Sequence, residues 1–406
     1  MIILYQIIVK ISIFVKNFVM DFAGILIPLI MISISCFIIW KAANGFEIAS
    51  DYLGRNLHEG IKGATINAVA SSMPEFLATI FFLFYIRDVN GFSGGIGVTA
   101  GSAIYNLLII PACVIIFGLI KNQNTKITIR KSISLRDGIF LIITTLVLII
   151  TLKYGSLNWF FGALMFFVYL LYLAYLYYTF KKTRNTTKST NTIKYIKRKA
   201  KTNDLLKLNI QNIILGNKDI NKSKAWYLLV ASTFVMLIGT WILVQATEWL
   251  GADIYKIPYA GQFNGLDIPI LFVALILAAA ASSLPDTIIS IKDAKKGNYD
   301  DAFSNAFGSN IFDISFALGV PLLIYTLIFG TIEMSPEIIQ FSLGIWEVLL
   351  FLTVITVLIF IVGKHMTKTK AFIMMLLYLF FIIMIFGLIM GSSFATDFFN
   401  FISSII

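Results

Sequence analysis

The chain has 406 residues, of which 58% are hydrophobic and only 13% are charged, and its formal net charge is +11. Soluble globular domains carry about 25% charged residues, so this composition excludes an ordinary soluble protein. Two cysteines, Cys36 and Cys113, lie in apolar runs. Because a single pair builds neither a disulfide framework nor a zinc site, we expect two buried free thiols.

The first 20 residues are apolar but carry Lys10, Lys16 and Asn17 within the apolar stretch. On a helix, Gln6, Lys10 and Asn17 would share one face. This pattern predicts an amphipathic or interfacial segment, or an extension of the first membrane span. A cleaved signal peptide is disfavoured, because no small-residue cleavage site follows.

Long apolar runs recur along the rest of the chain, and runs of 18 or more residues are typical of membrane-spanning helices. We therefore predict an all-α polytopic membrane protein with ten transmembrane helices. The predicted spans are residues 22–45, 61–86, 94–119, 135–152, 158–180, 225–249, 267–291, 299–329, 344–363 and 371–391.

A basic segment, residues 181–224, separates five spans from five. It holds 13 lysines and arginines against two acids, which accounts for the whole net charge of +11. It has no long apolar run, so we expect a solvated loop with some helix. The predicted organisation is an N-terminal segment (1–20), a first five-helix repeat (21–180), the basic loop (181–224) and a second five-helix repeat (225–406).

The distribution of basic residues also predicts topology. With the basic loop in the cytoplasm, 27 lysines and arginines fall on the cytoplasmic side and three on the other. This asymmetry favours a multi-pass protein of the cell membrane with a cytoplasmic central loop. It also argues against a nucleic-acid partner, whereas anionic lipid headgroups are a possible partner of the loop. The sequence carries no signal for an oligomeric state.

A short motif occurs twice. Residues 70–75 read Ala-Ser-Ser-Met-Pro-Glu and residues 281–286 read Ala-Ser-Ser-Leu-Pro-Asp. Each copy is followed by a second cluster, Gly-Ser-Ala-Ile-Tyr-Asn at 101–106 and Gly-Ser-Asn-Ile-Phe-Asp at 308–313. The predicted spans that carry the two copies run in opposite directions. Two inverted-topology repeats with a site at their interface are typical of secondary transporters.

The residue types in this motif suit a buried ion. Proline has no N–H, so Pro74 and Pro285 leave helix carbonyls without partners, and such carbonyls are tolerated at membrane depth where they line a cavity. Carboxylates inside a membrane usually mark ion paths. We expect Glu75, Asp286 and Asp313 to meet at one centre.

All the candidate ligands are oxygen atoms, from hydroxyl, carbonyl, amide and carboxylate groups. Oxygen-only sites favour hard cations, of which Ca²⁺ is the best match, and Na⁺ would accept the same hydroxyls and carbonyls. Three carboxylates in a low-dielectric centre repel one another strongly when no ion is bound. The site therefore needs cations or protons whenever it crosses the membrane, which is the physical basis of antiport.

The four sub-motifs resemble the two alpha repeats of the cation/calcium exchanger superfamily, over residues 45–118 and 274–321. The resemblance implies ten helices in two inverted halves, a transporter rather than an enzyme, and calcium-for-sodium exchange without a cofactor. By matched position, Glu75 and Asp286 would be the main calcium carboxylates, with carbonyls of Ser71 and Ser282 as further ligands. The remaining matched residues would serve sodium or shape the centre; they are Ser72, Ser102, Asn106, Ser283, Ser309 and Asp313.

Several alternatives stay open. Asp313 makes the motif most similar to potassium-dependent sodium/calcium exchangers, and coupling to K⁺ or H⁺ on the same scaffold remains possible. The family usually has glycine where this chain has Ala70 and Ala281, which could alter the preferred ion size. A passive cation channel is a remote alternative, because channels more often build their pore from several subunits around an axis.

Two further expectations concern residues near the motif. Glu47, Asp51 and Glu59 lie close to a predicted cytoplasmic span end, so we expect their carboxylates to be solvated. Gly101 and Gly308 are expected to serve helix packing rather than ion binding.

Overall fold

The computed structural model describes residues 2–55, 57, 61–121, 127–183, 202–216, 218–363 and 365–405, with residues 2–21 described by their backbone alone. The middle of the basic segment, residues 184–201, lies outside the described residues. Cys36 and Cys113 are free thiols, as expected, but both are only partly buried.

The first half of the chain begins with one long helix, α1, whose backbone is continuous through the predicted N-terminal segment. The helices of this half are α1 (Ile2–Leu53), α2 (Gly63–Ser71), α3 (Met73–Ile86), α4 (Asp88–Lys121), α5 (Lys131–Lys153) and α6 (Trp159–Thr183), with strand β1 (Ser156–Leu157) between α5 and α6.

The second half follows two short helices of the basic segment, α7 (Thr202–Leu206) and α8 (Ile210–Leu215). Its elements are α9 (Lys222–Gly251), β2 (Ile254–Ile257), β3 (Gly261–Asn264), α10 (Ile270–Lys296), α11 (Tyr299–Phe329), β4 (Ile332–Glu333), α12 (Pro336–Ile361), α13 (Lys368–Ile389) and α14 (Ser393–Ile405).

Within the described residues, nine helices are long and apolar enough to cross a membrane, and the bent pair of α2 and α3 makes a tenth span. The nine helices have 21 to 32 residues, and a bilayer core requires roughly 20. The predicted all-α membrane fold with ten spans is confirmed. The end of the bundle at which α6 ends and α9 begins is called the loop side below, and the other end is called the opposite side.

Helix packing follows an approximate twofold symmetry between the halves. Helix α1 packs on its counterpart α9, and α5 packs on its counterpart α12. The contacts between non-equivalent helices also occur in symmetric pairs, because α4 packs on α13 as α11 packs on α6. This arrangement is the one expected of two inverted repeats.

The connections between spans carry the same symmetry. On the opposite side, β1 pairs with β4, so the α5–α6 link is joined to the α11–α12 link. On the loop side, Ile127 pairs with Met366, which joins the α4–α5 link to the α12–α13 link. These two antiparallel contacts tie the halves together at both ends of the bundle.

A buried ion pair fixes the loop-side end of α5. The Asp137 carboxylate accepts hydrogen bonds from Arg136 Nε at 2.6 Å, from Tyr172 at 3.0 Å and from Ser304 at 2.5 Å. Asp137 is fully buried and the Arg136 side chain is only 8% exposed. The network therefore joins α5, α6 and α11 beside the centre of the molecule.

We expect Asp137→Asn to lower the thermal stability of the purified protein strongly, because it removes the negative charge that faces the buried Arg136 guanidinium. Breaking such a pair costs about 3–5 kcal/mol. Tyr172→Phe removes one hydrogen bond to the same carboxylate and is the milder control, at about 1.5–3 kcal/mol. Melting in detergent measures both variants, and an unchanged melting temperature for Asp137→Asn would contradict this role.

Candidate ion-binding site

Both copies of the motif lie at a break in a membrane helix. Helix α2 ends at Ser71 and α3 begins at Met73, with a bend of 46° between them. In α10 the corresponding residue, Ser283, also leaves helical geometry, with φ −79° and ψ 1°. The break explains why a proline is tolerated there, because Pro74 falls in the first turn after it, where an N–H has no helical partner.

The breaks also place charge where helix ends favour it. Glu75 and Asp286 lie in the first turn of the helical segments that begin after the breaks. The N-terminal end of a helix carries a partial positive charge, which stabilises a nearby carboxylate. Each break is preceded by a π-helical turn, at Gly63–Asn67 and Ala274–Ala278. Such turns are frequent at functional sites.

The ten residues singled out from the sequence all lie in the interior, and the side chains link into one polar cluster. Each has 0% of its surface exposed. They come from four helical regions. Two of these are the broken helices, α2 with α3 in the first repeat and α10 in the second, and the other two are α4 and α11, which cross them. The cluster comprises Ser71, Ser72, Glu75, Ser102, Asn106, Ser282, Ser283, Asp286, Ser309 and Asp313.

Glu75 receives its hydrogen bonds from the other helices of the cluster. Its Oε1 accepts from Ser102 Oγ at 3.2 Å and from Ser283 Oγ at 3.3 Å. Ser283 Oγ also lies 2.8 Å from Ser102 Oγ, so its single hydrogen serves either Ser102 or Glu75, and the Ser282 hydroxyl lies close to Glu75 as well. The carboxylate of the first repeat thus lies among serines of both repeats, Ser102 from the first and Ser282 and Ser283 from the second.

Asp286 shows the mirrored arrangement. Its Oδ1 accepts from Ser309 Oγ at 2.5 Å, and its Oδ2 accepts from Asn106 Nδ2 at 3.5 Å. The Ser71 hydroxyl lies close to Asp286 and 3.4 Å from Ser309 Oγ. Each repeat therefore places its carboxylate beside a serine from the Ser-Ser pair of the other repeat, so the centre lies at the interface between the repeats.

Asp313 joins the cluster through Ser102, whose Oγ lies 3.3 Å from Asp313 Oδ2. Ser102 has one hydroxyl hydrogen, so it donates to only one of Glu75 and Asp313 at a time. The cluster thus contains more carboxylate acceptors than hydrogens to satisfy them.

Four oxygen atoms of the cluster are buried without a hydrogen-bond partner. They belong to Ser72, Glu75 (Oε2), Asn106 (Oδ1) and Asp313 (Oδ1). An unsatisfied buried acceptor is costly, and a buried unpaired charge more so. A cation is the natural partner for such a group of oxygens, so the residues present fit a hard-cation site.

Carboxylates alone do not form that site. Among the described residues, no three acidic, histidine or cysteine side chains converge closely enough to hold a metal ion. The three carboxylates are instead spaced by Ser102 and Asn106. A cation bound here would therefore need hydroxyl, amide or backbone oxygens as well.

One polar residue of the cluster, Asn305, does not belong to the sequence-based set. Its amide lies 3.5 Å from Asp286 Oδ1 and 3.0 Å from Ser290 Oγ. It stands four residues before Ser309 and so on the same face of α11. The helical spacing from Ser309 was the signal that could have identified it.

The fold and the cluster define a class, the polytopic membrane proteins with two inverted repeats and a buried oxygen-rich centre between them. Comparison with known proteins then identifies the family. The family model described as sodium/calcium exchanger protein matches residues 27–178 and 224–387. The chain belongs to this family, which is a family of transporters rather than enzymes.

Relatives with similar sequences are named as sodium/potassium/calcium exchangers. Human sodium/potassium/calcium exchanger 5 is 25% identical over 341 residues, which cover 69% of this chain and 65% of that protein. Human sodium/potassium/calcium exchanger 1 is 40% identical over 127 residues, covering 30% of this chain and 11% of the relative. The matches thus span less than two thirds of the length of these relatives.

Solved structures share the fold. The structure of native YfkE has a TM-score of 0.58 at 14% identity and covers 93% of this chain and 96% of its own. The sodium-calcium exchanger NCX_Mj has a TM-score of 0.53 at 17% identity, with 88% and 98% covered. The H⁺/Ca²⁺ exchanger CAX has a TM-score of 0.54 at 13% identity, with 95% and 92% covered.

Proposed function

We propose that this protein is a secondary antiporter that exchanges Ca²⁺ for Na⁺ across the membrane by alternating access. The observation that carries the proposal is the buried cluster at the repeat interface, with three carboxylates and four oxygens that lack partners. None of the ten side chains of the cluster is exposed to solvent. Such a centre cannot carry its charge through the bilayer without cations, and exchanging one kind of cation for another follows from that need.

In this proposal Glu75 and Asp286 are the main calcium ligands, and carbonyl oxygens of Ser71 and Ser282 add to the coordination. Ser72, Ser102, Asn106, Ser283, Ser309 and Asp313 supply sodium ligands or shape the centre. No cofactor takes part, because the ions are the cargo.

A cavity on the opposite side supports an entry route for cations. It has a volume of about 540 Å³ and lies between the end of α9, the start of α10 and the start of α12. Four acidic residues line it: Glu248, Asp253, Asp267 and Glu337. A cleft lined by one sign of charge raises the local concentration of ions of the other sign.

The orientation is part of the proposal. The bias of 27 basic residues to three places the loop side in the cytoplasm and the protein in the cell membrane. The basic segment would then face the cytoplasmic leaflet, where it binds anionic lipid headgroups electrostatically.

Potassium dependence is the second candidate, because the relatives with matching sequence are named as sodium/potassium/calcium exchangers. Asp313 supports it, since a third carboxylate raises the number of positive charges that the centre holds. Proton coupling has weaker support, because the likeness to the H⁺/Ca²⁺ exchanger is one of fold alone.

The test is calcium-45 uptake into proteoliposomes loaded with Na⁺ and diluted into Na⁺-free buffer. We expect uptake that depends on the outward sodium gradient. Parallel vesicles with a K⁺ gradient or a pH gradient separate the three coupling modes. Uptake that follows the calcium gradient alone, with a reversal potential at the calcium equilibrium, would instead indicate a channel.

A further inference from the structure

The inverted repeat allows the two closures of the central site to be compared residue by residue. The motif helices align with a spacing of 211, from Ser71 to Ser282, and the helices that cross them align with a spacing of 207, from Gly101 to Gly308. Every residue between the centre and the loop side therefore has a counterpart between the centre and the opposite side. If the path to the ion cluster were closed by the same kind of contact on both sides, the paired positions would carry similar residues.

On the loop side the closure is polar and centred on Asp293. Asn67 Nδ2 donates to Asp293 Oδ2 at 2.9 Å, and Lys296 Nζ lies 3.4 Å from Asp293 Oδ1. Asp293 and Asn67 are each only 4% exposed. Asp51, Lys62 and Asp301 also lie within electrostatic range of Asp293.

Polar side chains continue from this group to the centre. Ser290 lies on α10 between Asp293 and Asp286, and it accepts from Asn305 at 3.0 Å. Asn305 reaches Asp286 at 3.5 Å, and Asn67 O accepts from the Ser71 hydroxyl at 2.8 Å. A cation leaving the centre toward the loop side would meet oxygen atoms at each step.

Further ion pairs surround Asp293 and join four helices. The expectation that Glu47 and Asp51 are solvated is wrong, because their side chains are only 12% and 18% exposed. Glu59, for which the same was expected, lies outside the described residues. Their lysine partners come from neighbouring helices. The contacts are Lys62 with Asp51 at 2.5 Å, Lys292 with Glu47 at 2.5 Å, and Gly63 N with Asp301 Oδ1 at 3.1 Å.

On the opposite side the positions paired with these polar residues are apolar, except that Thr79 stands in the place of Ser290. Phe82 stands in the place of Asp293, Ala278 in the place of Asn67, and Val98 in the place of Asn305. All three are fully buried and belong to one hydrophobic cluster. Gly94 replaces Asp301, and a Cβ there would lie 2.5 Å from the Phe82 ring, so the glycine makes room for the phenylalanine.

The outermost pair replaces a lysine with a neutral side chain. Tyr85 stands in the place of Lys296, and its hydroxyl donates to Gln245 Oε1 at 2.6 Å. Gln245 Nε2 in turn donates to Glu248 Oε2 at 2.8 Å, so the carboxylate on this side is held by an amide. Lys296 on the loop side instead interacts with the carboxylates of Asp293, Asp51 and Glu47.

We propose that Asp293 is the hub of an ionic latch that closes the loop side of the transport path, whereas packing around Phe82 closes the opposite side. The ionic latch comprises Glu47, Asp51, Lys62, Asn67, Lys292, Asp293, Lys296 and Asp301. The latch rests on the proposed function in one respect: the ion cluster must become accessible from each side of the membrane in turn. Lys292 and Lys296 are 39% and 48% exposed, so salt and competing cations reach the lysine side of these ion pairs and weaken them, whereas apolar packing stays in place. Opening of the loop side is therefore selectively sensitive to ionic strength.

The latch also assigns Asp293 a role in ion entry. When the loop side opens, Lys296 leaves the Asp293 carboxylate, and the transported cation takes its place as counter-charge. Asp293 is then a positioning residue that lies two helical turns from Asp286 and guides cations to it.

The experiment compares the chemical accessibility of two paired reporter positions. Ser290→Cys and Thr79→Cys are counterparts, and both side chains are fully buried. Each is introduced into a background in which Cys36 and Cys113 are replaced by alanine. A membrane-impermeant methanethiosulfonate reagent is added from one side of sealed vesicles, and protease cleavage of the basic segment identifies the loop side. The rate of modification requires no calcium transport.

We expect Asp293→Asn to raise the loop-side modification rate of the Ser290→Cys reporter by at least about fivefold, the lower range of conformational coupling energies. The rate of the Thr79→Cys reporter should stay level or fall. Raising the salt concentration should accelerate the first reporter when Asp293 is present and have little effect in Asp293→Asn. Phe82→Ala is the matched control, and it should accelerate only the Thr79→Cys reporter.

Equal acceleration of both reporters by Asp293→Asn would indicate general loosening and overturn the latch, as would no change in either. If Asp293→Asn does not accumulate, Lys296→Gln breaks the same pair at a side chain that is 48% exposed, and the same rates are expected. If the two reporters respond as expected but the protein shows no sodium-driven calcium uptake, the latch stands and the proposed function is refuted. If the protein shows sodium-driven calcium uptake but the modification rates of the reporters do not change, the proposed function stands and the latch is refuted.

Discussion

Changing Glu75 to glutamine should reduce sodium-driven calcium uptake by about a hundredfold or more, which corresponds to roughly 2.8 kcal/mol of lost ion binding. Glutamine has the size of glutamate and still accepts hydrogen bonds from Ser102 and Ser283, so the local packing is kept. What is lost is one negative charge in a centre that is shielded from water. Electrostatic attraction to a divalent ion is strong in such surroundings.

The same substitution should make the ion-free protein more resistant to heat. Glu75, Asp286 and Asp313 repel one another when no cation is present, and Glu75→Gln removes part of this repulsion. The increase in melting temperature on adding Ca²⁺, which reports ion binding to the folded state, should disappear. Fluorescence-detected melting with and without Ca²⁺ measures both effects on one sample.

Glu347→Gln is the matched control for a buried carboxylate outside the centre. Glu347 is 2% exposed, and its carboxylate lies 3.7 Å from Lys153 Nζ at the opposite side. This variant should keep calcium uptake and the calcium-dependent melting shift. Undiminished uptake by Glu75→Gln would remove the central carboxylate from the transport mechanism.

Duplication made the central site readable from the sequence. Glu75 and Asp286 each follow a Ser-Ser-x-Pro run, and Ser102 and Ser309 each follow a glycine. A buried carboxylate that occurs once has many explanations, whereas one that recurs with its neighbours in an inverted repeat points to a shared centre. Hydropathy in turn fixed the ten spans, because apolar runs of the required length are rare outside membranes.

The ionic latch could not be predicted from the sequence, because its residues are not duplicated. Asn67 and Asp293 have apolar counterparts, so a search for repeated residues passes over them. Glu47 and Asp51 were misjudged because solvation was inferred from the nearness of a span end. Their partner lysines lie on other helices, and single-chain spacing contains no information about which helices become neighbours.

The structure gives a physical reason for the expectation that Gly101 and Gly308 serve helix packing. Gly101 packs against the backbone of Leu275, and its counterpart Gly308 packs against the backbone of Ala64. Leu275 and Ala64 are themselves counterparts, at the spacing of 211. The two glycines therefore form one symmetric pair of close helix crossings beside the ion cluster, as small residues do in membrane proteins.

We expect Gly101→Ala to abolish calcium uptake and to reduce the yield of folded protein severely. A Cβ at this position would overlap the carbonyl oxygen of Leu275, which is backbone and has no rotamer to move into. Relief requires that α4 and α10 separate, and overpacking of this kind costs about 1–3 kcal/mol or more. Separation would also displace Ser102 from Glu75, so uptake should fall even in the fraction that folds.

Gly95→Ala on the same helix is the control. A Cβ there would lie 3.3 Å from a methyl group of Thr79, a side chain that can shift slightly, so near-normal yield and uptake are expected. Gly308→Ala should be intermediate, because its Cβ would lie 2.8 Å from the Ala64 backbone. Size-exclusion profiles in detergent and uptake per folded protein rank the three variants. The order Gly95, Gly308, Gly101 from mildest to most severe follows from distance to backbone atoms, and a different order would show that these crossings do not set the geometry of the centre.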